Sequence, residues 1–218
     1  MSQYPHDQYA KEYLAHLLED VADVQLGYEV LAEARRVDVY VAPKVTAREE
    51  DYQALGVLGR MTRQVCLLEP FSNQPSSEDV CQCLGKLLAA QHRLQRRQEQ
   101  LKLPPLPTTN LPCLWILTPT ASVALLAEFG GQVQADWGDG IYWLAPRFKT
   151  AIVAIHHLPS TPDTAWLRAL GKGTKQQRAF QELLGPPELP VDDPRGRLRQ
   201  RVAGILHSYL LWLQKHVS

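Results

Sequence analysis

The chain has 218 residues, 45% hydrophobic and 21% charged, and its 23 basic and 23 acidic side chains cancel. That composition is globular and excludes disordered and fibrous classes. With no net charge and a pI near 7.0, no global field draws the chain to nucleic acid or to an anionic surface; such contacts need a local patch.

In chain order, Asp7 is placed to cap a helix running to about Asp20, with Tyr9, Tyr13, Leu14, Leu17 and Leu18 as its apolar stripe. Residues 24–31 and 36–42 alternate between two faces and predict a hairpin, with Ala32 to Arg35 as its loop. A short helix is expected over 47–60, then a strand over 64–69 that Pro70 and Pro75 prevent from continuing. Ser76 and Ser77, followed by Glu78 and Asp79, open a long helix to about Lys102, and the Pro-rich piece 104–112 is a linker. Cys113 to Leu117 predicts a buried strand, followed by a helix through Phe129 that Gly130 and Gly131 terminate. Strands follow at 141–144 and 150–155, then helices at 165–170, 174–184 and 195–216. Short strands with helices between them indicate an α/β fold with a mixed central sheet flanked by helices. The expected organisation is a single domain over 1–218, with a core at 1–156 and a helical C-terminal extension at 157–218. Neither a hydrophobic leader nor an apolar run of ~20 residues is visible, so a soluble cytoplasmic protein without membrane contact is expected.

Candidate chemistry lies in the first three strands. Folded about its loop, the hairpin sets Glu29 opposite Asp38 on one face, and directly opposed carboxylates repel. Glu69 closes the third strand and brings another carboxylate nearby. Three acids on neighbouring strands outline a divalent-metal site, although acids on the outer face of a hairpin are also commonly just solvated. Other groups carry less. His156 and His157 are adjacent after a strand and cannot chelate one metal from regular β-structure. Asp136 and Asp139 fit a turn. Ser122 lacks a nucleophile context and suits a helix start. Cys81 and Cys83 have poor zinc spacing, so buried reduced thiols are expected. The arginines at 93, 96, 97 and at 195, 197, 199, 201 can touch phosphates, but interleaved acids and glutamines favour solvated helix faces.

Three stretches carry a resemblance. His6-Asp7-Gln8-Tyr9-Ala10-Lys11-Glu12, Glu29 with Arg35-Arg36-Val37-Asp38-Val39, and the string at 158–177 resemble the Rpn and transposase-type branch of the PD-(D/E)XK nuclease superfamily. Over nearly its full length the chain is similar to a group of bacterial proteins, many cyanobacterial, with this core. The resemblance implies a restriction-endonuclease-like core and Mg²⁺- or Mn²⁺-dependent cleavage of DNA phosphodiesters, with Asp38 and Glu69 as metal ligands and Glu29 supplementing them. It also implies a lysine two residues after the Glu. That position is Phe71 here, and Lys86 on the following helix, or Lys11 on the first, would have to replace it. The other reading is an inactive relative acting as an interaction or scaffold protein, as a homodimer through its long helices.

Overall fold

Residues 113–118 and 150–154 are apolar without alternation, as strands covered on both faces are. A computed structural model, which describes residues 6–30, 35–185 and 193–216, puts them at the centre of a sheet. In chain order the elements are α1 (His6–Leu18), β1 (Ala22–Val30), β2 (Arg35–Pro43), α2 (Glu49–Ala54), α3 (Val57–Met61), β3 (Cys66–Pro70), α4 (Ser77–Gln100) and β4 (Cys113–Thr118). There follow α5 (Val123–Glu128), β5 (Gln132–Val133), β6 (Ile141–Trp143), β7 (Thr150–Ala154), α6 (Ala165–Arg168), α7 (Gly173–Leu184) and α8 (Pro194–His216).

The seven strands make one mixed sheet in the order β1-β2-β3-β4-β7-β6-β5. The pairs β3–β4 and β4–β7 are parallel and the rest antiparallel. Every residue of β3, β4 and β7 is buried. On one face Val39, Val41, Cys66, Leu68, Trp115 and Val153 meet α1, α6, α7 and α8. On the other, Leu67, Leu114, Ile116 and Ile152 meet α4 and α5. This is the expected α/β class, with a mixed sheet flanked by helices. Among the described residues no helix is long and apolar enough to cross a membrane.

Several local expectations change. Asp7 is already helical, so it is not the N-cap of α1. The hairpin loop falls mainly on residues 31–34, outside the described residues. The predicted helix at 47–60 is two helices, because Gly56 between them sits at φ 58°, where a side chain is strained. A Cβ there would also lie 2.4 Å from the Asp163 carbonyl oxygen. The two-residue β5 was not foreseen.

The arginines of α8 are not simply solvated. Arg201 bridges Glu19 at 2.5 Å and Asp20 at 2.8 Å, and Arg197 reaches Asp51 at 3.5 Å. Arg199 donates to the Glu182 carbonyl at 3.0 Å, and Arg195 to that of Pro162. These long side chains fasten the C-terminal helix to α1, α2 and α7, while Tyr209 stacks on Tyr9 with ring centroids 3.9 Å apart.

Candidate functional site

The end of β3 positions the first acid. Leu67 and Glu69 alternate with Cys66 and Leu68, so Glu69 turns toward the face that α4 covers, as Leu67 does. The side chain of Glu69 is only 2% exposed. An ionised carboxylate buried that deeply needs charge and hydrogen-bond partners, and it has both. Its Oε2 accepts from Lys86 Nζ at 2.7 Å, and its Oε1 accepts the backbone N–H of Asp38 at 3.3 Å.

The sheet register brings the two acids together. Antiparallel pairing of β2 with β3 runs from Val41↔Cys66 to Val39↔Leu68, so the next step sets Asp38 opposite Glu69. Lys86 arrives from α4, whose start is fixed by a reciprocal cap: Ser76 Oγ accepts the Asp79 N–H, and Asp79 accepts the Ser76 N–H. From that start Val80, Cys83 and Leu87 face the sheet, and Lys86 lies one turn beyond Cys83, beside the acid. Asp38 has its own cation, Lys11 Nζ of α1, 2.9 Å from Oδ1. The result is a row of alternating charges: Lys11, Asp38, Glu69, Lys86.

Electrostatics follow from this packing. Burial pushes the Glu69 carboxyl up from 4.5 to about 7; the Lys86 charge opposes that rise and the Asp38 charge adds to it. Burial works against the Lys86 ammonium, but the charge and hydrogen bond of Glu69 outweigh it and hold its pKa above the ordinary lysine value. Burial, and next the charge of Glu69, raises the Cys83 thiol, which is inert as a nucleophile.

The raised Glu69 value has a consequence for stability. Folding favours the protonated acid, so this contribution is fully present below 4.5 and is lost as pH rises through about 7. Metal-free protein should therefore lose stability between pH 5 and pH 8, and Glu69→Gln should flatten that slope. Thermal unfolding across the range checks this; an unchanged slope in Glu69→Gln would exclude Glu69 as its source.

Sequence reasoning nominated Asp38, Glu69 and Lys86; in the fold Glu69 meets the Lys86 ammonium and the Asp38 backbone N–H, while the Asp38 carboxylate meets Lys11. Glu29 differs: β1 pairs with β2 so that Glu29 is opposite Arg36, not Asp38. The register differs by two residues from the expected one, since Val30 already pairs with Arg35. The Glu29 side chain lies outside the described residues, and among those described no group of three or more His, Cys, Asp or Glu gathers as a metal cage. Two carboxylates at opposed positions of β2 and β3 nevertheless suit Mg²⁺ or Mn²⁺, which bind hard oxygens; Mg²⁺ commonly takes one or two carboxylates and leaves other positions to water and phosphate. Phe71 is partly buried against the apolar cluster of Val80, Cys83 and Leu87, so a ring occupies the motif lysine's place as packing. Lys86 was the favoured replacement for the motif lysine and Lys11 the other candidate; in the fold each serves a different acid.

The remaining candidates take structural roles. His156 and His157 form a 3₁₀ turn after β7; His157 Nδ1 meets the Tyr142 hydroxyl at 2.9 Å, and His156 Nε2 accepts the Lys172 N–H at 3.4 Å. Ser122 caps α5 by accepting the Leu125 N–H. The four cysteines are free thiols, with Cys81 exposed and the others buried. Comparison of this chain with protein-family models, with curated proteins and with solved structures returns no match.

Proposed function

We propose that this chain is a nuclease-like protein of the PD-(D/E)XK type, acting on nucleic-acid phosphodiesters with Mg²⁺ or Mn²⁺ held by Asp38 and Glu69. The observation that carries the reading is the Lys86 ammonium, 2.7 Å from a buried carboxylate that also meets Asp38. It supplies from α4 the positive group that Phe71 lacks. The order of helix, three antiparallel strands with α2 and α3 inserted before the third, helix and parallel strand is compatible with a restriction-endonuclease-like core and adds support.

When bound, the ion would supply a more acidic water and offset charge on the phosphate. The chain's own groups divide the remaining work. Asp38 and Glu69 bind and orient. Lys86, kept protonated by Glu69, acts at neutral pH as a donor and not as a base: it orients the attacking water and counters charge on the phosphate. Glu69, poised at about 7, exchanges a proton for the ion, so metal uptake should strengthen as pH rises through that value.

A second reading, a catalytically inactive nuclease-fold protein serving as an interaction or scaffold protein, is favoured by the lysine that each acid already carries. Thermal unfolding separates the two. Millimolar Mn²⁺ should raise Tm in wild type by binding the folded state, and Asp38→Asn should remove the rise. An absent rise in wild type would favour the inactive protein. Metal-dependent cleavage of plasmid and single-stranded DNA tests the activity itself; robust cleavage that survives Asp38→Ala would overturn the assignment.

A further inference from the structure

Lys11 has a different position from the lysine of a nuclease motif. It comes from the opposite end of the core sequence, on α1, and pairs with Asp38 and not with Glu69. Among the described side chains, Lys11 and Lys86 balance Asp38 and Glu69. A dication arriving among them meets two like charges that offset part of the carboxylates' attraction. At ~4 Å and an effective dielectric of ~20, each unit of like charge opposes it by an energy comparable to a whole carboxylate's attraction.

The two lysines are not equally replaceable. Glu69 is 2% exposed, so water cannot take over from Lys86. Asp38 is 24% exposed and Lys11 22%, so water reaches both, and the flexible four-carbon stem of Lys11 allows its ammonium to swing into solvent. Asp38 is therefore the acid whose cation can be exchanged.

We infer that Lys11 is a tethered counter-ion that competes with a divalent cation for Asp38, restraining the acid pair when no metal is bound and weakening metal affinity. This rests on the metal-site reading above. Its signature is a pair of opposite effects. Removing the ammonium should slightly destabilise the metal-free fold, because Asp38 and Glu69 then repel with one cation fewer, yet tighten metal binding. A purely structural salt bridge would give only the first effect.

The test is calorimetric titration of Mn²⁺ into metal-stripped wild type, Lys11→Met and Lys11→Arg, with Tm measured on the same samples. Lys11→Met should bind about tenfold tighter or more, with a metal-free Tm about 2 °C lower. Lys11→Arg should stay close to wild type, because the charge remains. The Lys11→Met, Asp38→Ala double variant should lose the gain. Equal Mn²⁺ affinity in wild type and Lys11→Met would overturn the competition while leaving the metal site standing. Tightening by Lys11→Arg equal to that by Lys11→Met would overturn it too, since charge would not be the cause. No binding by any variant would overturn both this inference and the metal site.

Discussion

Asp38→Ala should abolish metal-dependent cleavage and the metal-dependent rise in Tm together at any pH, whereas Lys86→Met should separate them toward pH 9, where the Tm rise returns and cleavage stays slow. Losing Asp38 removes one of two described carboxylates and leaves Glu69 as a single ligand, its pKa drawn down from about 7 by loss of the Asp38 charge. Losing Lys86 keeps both oxygens but removes a positioned donor, a change worth about 10²–10³ in kcat. It also removes the group that holds the Glu69 pKa down, so that pKa climbs above about 7. Metal binding by Lys86→Met should therefore be weak at pH 7 and recover toward pH 9. Metal titrations and cleavage rates at both pH values check the split; cleavage by Lys86→Met at the wild-type rate at pH 7 would remove Lys86 from the site. Phe71→Lys should not rescue it, because its side chain would enter the apolar cluster that Phe71 now packs against.

Glu182→Ala should destabilise the fold by about 2–4 kcal/mol, more than Arg168→Met does. Arg168 is fully buried, and its guanidinium meets the Glu182 carboxylate at 2.5 and 3.2 Å. It also donates to Thr164 Oγ1 at 3.0 Å and to the Thr161 carbonyl at 2.8 Å. Removing Glu182, whose side chain is 42% exposed, strands a buried cation. Removing Arg168 takes the buried charge away and leaves Glu182 open to water. Thr164 then keeps its bond to the Pro159 carbonyl, so the flexible methionine costs less. In thermal unfolding, Glu182→Ala should lower Tm by roughly 5–12 °C. Equal losses in the two variants would show that the two ends of the pair carry equal weight.

Local physics written in the sequence decided a good deal of this protein. Continuous apolar runs marked β4 and β7, Ser76 with Asp79 marked the start of α4, and Pro70 the end of β3. Acids on neighbouring strands drew attention to Asp38 and Glu69, while Lys86 was implied by the resemblance to a nuclease motif. These signals are legible because propensity, capping and periodicity act within a few residues.

Tertiary packing decided the rest. The hairpin register came out two residues from expectation, moving Glu29 opposite Arg36, because turn closure and the packing of both sheet faces choose it jointly. Gly56 splits a helix at a positive φ, and its missing Cβ leaves room for Asp163, over a hundred residues later. The α8 arginines became fasteners because acids and carbonyls distant in sequence lie within their reach. The pairing of Lys11 with Asp38 and Lys86 with Glu69 depends on two helices packing near the same strand ends. The near-neutral pKa of Glu69 depends on how completely α4 covers it. Burial and charge proximity are properties of the assembled fold, and no spacing along the chain encodes them.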